Sequence, residues 1–151
     1  MNDLIDTWRI HNRINTYLLA AITEEALQLG IGRGRNAAEQ YAHMHNVRLM
    51  WLKASAPALF AGQTKIEKGD NLTGELLTQR LDESGAAIAA MLEAAPAAGK
   101  LKGFKPHPAA FIGYMISHES HHRGQITQSL KQAGYKIDAK VLYGLWEWGS
   151  R

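Results

Sequence analysis

The sequence predicts an all-α protein: a four-helix bundle with a long crossover connection between helices 2 and 3 and a C-terminal tail packing on the bundle. Apolar residues recur with helical spacing in four long segments, and clusters of glycine or proline mark the joints between them. No segment alternates apolar and polar residues as a half-buried strand would, and no internal repeat is visible. Four helices with one long connection are the parts from which a crossover bundle is made.

The first helix is expected from about Asn2 to Leu29, with Leu4, Ile5, Trp8, Ile14, Leu18, Leu19 and Ile22 as its apolar stripe. Gly30, Gly32 and Gly34 end it. Asn36 is a good N-cap for the second helix, and Glu39 completes a capping box. That helix continues through Tyr41, Met44, Val47, Trp51 and Leu52 as far as Pro57. The connection from Pro57 to Leu72 carries Gly62, Gly69 and Asp70. Thr73 caps the third helix, whose buried face is Leu76, Leu77, Leu81, Ile88 and Met91 and whose end is set by Pro96. After a lysine- and glycine-bearing loop from Ala97 to Pro106, the fourth helix runs from about Pro108 to Ala133 and stops at Gly134. The tail from Tyr135 to Arg151 holds Val141, Leu142, Leu145, Trp146 and Trp148, an apolar set expected to pack back over the bundle. Trp8, Tyr17, Trp51, Phe111 and Tyr114 fall at helical spacing and are expected in the core, as are Met44, Met50, Met91 and Met115.

The 151 residues suit one domain, 1–151, long enough to bury a core. With 46% hydrophobic and 21% charged residues the composition is that of a globular protein. There is no cysteine, which excludes disulfides, thiolate zinc sites and a cysteine nucleophile. Apolar runs are too short to span a membrane, and the start lacks a basic region followed by an apolar one, so a cytoplasmic location is expected. The net charge of +3 is scattered over Arg33, Arg35, Lys100, Lys102, Lys105, Lys131, Lys136 and Lys140. A nucleic-acid surface would gather such residues on one face with aromatics between them, so no nucleic-acid partner is expected.

The chemistry points to Ser117-His118-Glu119-Ser120-His121-His122-Arg123 on the fourth helix. Four residues turn a helix by about 400°, so His118 and His122 leave the same face one turn apart. Two imidazoles so placed can share a metal ion, and a third ligand must come from another helix. The alternative is two hydrogen-bonded histidines lining a bundle. His121 could replace His122 as the partner of His118. The second helix offers His43 and His45, about 160° apart on the wheel, and periodicity leaves both open while placing His45 further inward. His11 and His107 have no spacing argument and read as surface or loop residues. Arg123 could bind an anionic substrate or sit in a structural ion pair. His118-Glu119-Ser120-His121-His122 satisfies the H-E-x-x-H pattern of zinc proteases, but Gln125 stands where the extended metzincin form has glycine, and little chain follows for a substrate framework. Glu119 points about 100° away from His118.

His118-Glu119-Ser120-His121-His122-Arg123-Gly124-Gln125-Ile126, Ala42-His43-Met44-His45-Asn46-Val47-Arg48-Leu49-Met50-Trp51-Leu52 and Trp8-Arg9-Ile10-His11-Asn12-Arg13-Ile14-Asn15 together resemble the DinB family, the DinB/YfiT-like metalloenzymes, over nearly the full length. The resemblance implies a four-helix bundle, often a homodimer, with three histidines binding a divalent metal ion such as zinc, nickel or iron and water completing the coordination. It places the helix-two ligand four residues before the valine, which selects His43, and it favours His118 and His122 over His121. Some members of that family are thiol-dependent transferases or isomerases using a low-molecular-weight thiol, whose thiolate could take the open metal position. The expectation is therefore a metal site of His43, His118 and His122 serving a thiol-dependent transferase or a hydrolase with a small-molecule substrate. The alternative is a non-catalytic, stress-related dimeric bundle that binds a metal or a ligand.

Overall fold

The computed structural model describes residues 1–95 and 99–151. The chain is all-helical, with no strand among the described residues. Four long helices are α1 (Asn2–Ala20), α3 (Ala37–Ser55), α5 (Gly74–Glu93) and α6 (Pro108–Gln132); the short helices α2 (Glu24–Leu27) and α4 (Pro57–Phe60) lie in the connections and α7 (Ala139–Gly144) in the tail. Among the described residues no helix is long and apolar enough to cross a membrane.

Local sequence chemistry sets most of the ends. Asn36 Oδ1 accepts from the Glu39 N–H while the Glu39 carboxylate accepts from the Asn36 N–H, so both halves of the expected capping box form on α3. Thr73 caps α5, and α6 starts with Pro108 behind a cap from His107, whose Nδ1 accepts from the Ala110 N–H. Gly134, at φ +84°, follows α6 in the left-handed conformation that suits glycine at a helix end. The expected first helix to Leu29 is instead two pieces: the chain leaves the helix at Ala21, and Thr23 caps the separate turn α2. Pro57 likewise does more than stop α3, since it serves as the first residue of α4. The stop expected at Pro96 and the loop start at Ala97 lie outside the described residues.

α1 packs against α5 and α6, and α3 packs against the same two helices. The core is divided along the helix axes. One apolar cluster contains Leu18, Leu27, Tyr41, Leu77, Ile126 and Leu130, and another contains Trp8, Leu52, Ile88, Leu92, Phe111 and Met115. On each long helix a buried polar residue falls between the two: His11 and Asn15 on α1, Arg48 on α3, Ser84 on α5 and Glu119 on α6. α1 and α5 approach closely here; a Cβ on Gly85 would stand 2.9 Å from the Asn12 side chain, and the Trp8 indole N–H donates to the Gly85 carbonyl.

The tail only partly meets expectation. Val141 and Leu145 pack on the first cluster, and Arg151 lies over the Tyr17 ring with its guanidinium donating to the Gly144 carbonyl. Leu142, Tyr143 and Trp146 stay exposed, Trp146 at 81%. The six residues of α7 present a narrow inward stripe that leaves Leu142 and Tyr143 outside it, and Trp146 follows the helix end. Met50 is also exposed rather than in the core, as is Tyr114.

Candidate metal centre

The α3–α6 seam brings together His43, His118 and His122, each offering a ring nitrogen within 4.8 Å of the others'. Helical spacing explains the α6 pair, and a half-buried position on the flank of α3 places His43 opposite it. His118 Nε2 and His122 Nε2 are 3.1 Å apart. Two nitrogens bound to one tetrahedral zinc ion would stand about 3.3 Å apart, given metal–nitrogen bonds near 2.0–2.1 Å. The His43 ring lies edge-on to His122, with centroids 4.6 Å apart.

Electrostatics keeps all three imidazoles neutral, as ligation requires. Burial pulls His122 down to about 4, helped by neighbouring His118, His43 and His121. Burial also lowers His43, together with the charge of Arg35 and the nearby His118, and it lowers His118 against an opposing pull from Glu119. The Nδ1–H of His122 donates to the buried Oε1 of Gln40 at 2.6 Å, which leaves the Nε2 lone pair facing the cluster. His118 is held differently. Its Nδ1 is buried without a hydrogen-bond partner among the described residues, and its ring lies nearly parallel to that of Tyr114, at 17°.

The other histidines separate cleanly. His45 is the more inward of the α3 pair, fully buried, but it points into the core, where Nδ1 meets Ser84 Oγ and Nε2 meets the Thr64 carbonyl. His121 is exposed, its ring edge-on to that of His122, and it lies outside the three-nitrogen cluster. His107 is an exposed loop residue as expected. His11 is not: it is fully buried, with Nε2 donating to Glu119 Oε2 at 2.8 Å. Its position three residues after Trp8 and three before Ile14 is a core position, a signal present in the apolar stripe of α1.

Glu119 turns away from the cluster into the polar layer. Arg48 grips its carboxylate with two bonds of 2.7 and 2.8 Å, and Asn15 Nδ2 donates to it at 2.6 Å. These partners hold its carboxyl far below the usual carboxylate range against the opposing effect of burial. A carboxylate committed in this way cannot serve as the general base of a zinc protease, so the H-E-x-x-H string has no protease geometry here. Arg123 is likewise occupied, its guanidinium donating to Asn15 Oδ1 and Ser120 Oγ.

One open cavity is lined by a cluster residue and another by neighbours of the cluster. A groove of about 640 Å³ between the 31–35 loop and α6 is lined by Gln40, His121 and Gln125 among others, and a cavity of about 480 Å³ is lined by His43. The donor set fits a divalent ion: three neutral nitrogens from two rigid helices, one with its tautomer fixed, reachable from solvent. Sequence reasoning had no reason to single out Gln40, although it stands one turn before His43 on the same helix.

The sequence model of the DinB family matches residues 1–146. The fold is similar to that of the crystal structure of a DinB-like protein from Bacillus cereus ATCC 10987, with a TM-score of 0.67 at 17% identity, covering 92% of this chain and 96% of that one. At that identity the likeness concerns the fold. Among curated proteins, nothing matches the chain significantly.

Proposed function

This chain belongs to the DinB family, and we propose that it is a metal-dependent enzyme whose His43, His118 and His122 hold one divalent ion, zinc, nickel or iron. The convergence of three ring nitrogens within 4.8 Å is the observation that carries this reading. We take the four long helices as the expected four-helix bundle, with the crossover made by the segment between α3 and α5. The reaction we assign is transfer to or from a low-molecular-weight thiol, or hydrolysis, on a small-molecule substrate, in a cytoplasmic homodimer.

When bound, the ion supplies Lewis-acid charge that lowers the pKa of a water or thiol at its open position. Everything else falls to the chain. The three histidines contribute no negative charge, so the ion's full charge acts on whatever occupies the open position. Gln40 fixes which nitrogen of His122 faces the centre, and Tyr114 backs the ring of His118. The absence of cysteine in the sequence assigns any thiol chemistry to a co-substrate. The alternative, a metal- or ligand-binding bundle without turnover, draws support from Glu119, the acid beside His118, being buried away from the centre.

Metal analysis of untagged protein tests the reading. One divalent ion per chain is expected, lost in His43→Ala, His118→Ala or His122→Ala and kept in His45→Ala and His121→Ala. No uptake of zinc, nickel or iron by the wild type would end the metalloenzyme reading. Metal uptake without turnover in thiol-transfer and hydrolase assays would favour the binding module.

A further inference from the structure

The two cavities beside the cluster differ in charge. The smaller has Arg35 and Lys68 on its walls against Glu39, Glu67 and Asp70. Those acids already have work: Glu39 caps α3, Glu67 binds Lys65, and Asp70 accepts from the Glu67 N–H. The larger groove has one permanently charged residue on its wall, Arg35, beside His121 and the uncharged side chains of Gln40, Ser120, Gln125 and Gln128. Arg35 is the residue common to both linings, so it stands on the rim between them. Among the described residues its guanidinium makes no ion pair.

We propose that the larger groove is the subsite for the carboxylate group of a small polar substrate or co-substrate, with Arg35 as the positioning residue that binds it. An unpaired guanidinium presents a planar fork matched to a carboxylate. One permanent cation matches one negative charge, and the amides of Gln125 and Gln128 offer both donors and acceptors to neutral polar groups. The volume of about 640 Å³ is within the range of small-molecule sites. Gln40 joins the groove to the centre, because it lines the groove and binds His122. The inference rests on the metal-centre reading for where the rest of the molecule points, while the carboxylate contact is a property of the groove itself.

The test uses mercaptopropionate and its neutral amide, mercaptopropionamide, as probes of the full chain loaded with cobalt(II). The thiolate-to-cobalt absorption band reports binding. Wild type is expected to bind the carboxylate probe about fivefold more tightly, the scale of a solvent-facing ion pair. Arg35→Ala should abolish that preference and Arg35→Lys should keep part of it. An undiminished preference in Arg35→Ala would overturn the proposal. If the chain takes up no cobalt, the metal reading has failed; if it takes up cobalt and neither probe gives a band, the thiol does not reach the ion. In either case the groove is read separately by nitrogen-15 NMR of metal-free protein. Shifts of the Arg35 Nε and the Gln125 and Gln128 amides with mercaptopropionate but not its amide would support the subsite; no shift, or equal shifts, would overturn it.

Discussion

Gln40 Oε1 accepts a 2.6 Å hydrogen bond from His122 Nδ1, with both side chains buried and one helix reaching across to fix a ring on the next. The ring cannot flip without leaving a buried amide oxygen unpaired, a loss of about 1–3 kcal/mol. His118 lacks such a partner and depends on packing. The centre is therefore held by one hydrogen bond and one stacked ring, and the two can be removed separately.

Removing the Gln40 contact should weaken metal binding while leaving the fold in place. Gln40→Leu is expected to lower affinity about 10–100-fold, the usual cost of losing a ligand's outer partner. Gln40→Glu keeps the acceptor and should retain most of the affinity. Competition against a chromophoric chelator measures both, and unchanged affinity in Gln40→Leu would show that packing alone orients His122.

Tyr114→Ala takes away the surface behind His118 and should also weaken metal binding. Tyr114 is 40% exposed, so the cost to stability is expected to be small. The same competition assay, paired with urea unfolding, checks this. A large fall in the unfolding midpoint with normal metal affinity would mean that Tyr114 serves the core instead.

The α3 histidines should respond in opposite ways. His43→Ala is expected to abolish metal binding with little change in the stability of the metal-free protein. His45→Ala should leave the metal site intact but cost about 1–3 kcal/mol, because it empties a fully buried position and removes hydrogen bonds to Ser84 Oγ and the Thr64 carbonyl. Metal stoichiometry and urea midpoints on the two variants decide it, and the reverse pattern would move the site to His45.

This pair also shows what was legible in the sequence. Helix ends governed by neighbours in the chain, such as the Asn36–Glu39 box and the Thr73 cap, could be read directly because the partners lie three residues apart. The wheel ranks His45 as further inward, and it is. But the nitrogen cluster on the α3–α6 seam takes its third member from the flank of the apolar face, so inwardness does not single it out, and it is the family resemblance that points to His43. The partners of Glu119 come from α1 and α3, far away in sequence, and no local pattern announces them.

The Glu119–Arg48 pair is fully buried on both sides, so removing one member strands the other. Glu119→Gln is expected to destabilise the protein by about 3–5 kcal/mol, as breaking a buried ion pair does. Metal affinity of the fraction that remains folded should change little, since Glu119 faces away from the centre. Affinity lost in step with the carboxylate would instead place Glu119 in the metal site.

Acid should unfold the metal-free protein through the same layer. Burial lowers His11 and His45, so both resist protonation when folded but accept protons freely when unfolded. A group whose folded pKa is depressed gives stability that is present above its unfolded pKa and is lost as pH falls towards the folded value. For a histidine the loss begins below about pH 6.5, and for Glu119, whose carboxyl is also held low, it begins below about pH 4.3. Urea midpoints are therefore expected to fall in two stages on acidification, the first beginning below about pH 6.5. His11→Gln, which preserves a donor towards Glu119 but cannot titrate, should shrink the first stage and leave the second. A first stage of full size in that variant would shift the early loss to His45 and the cluster histidines, because the buried His11 would then contribute nothing to it.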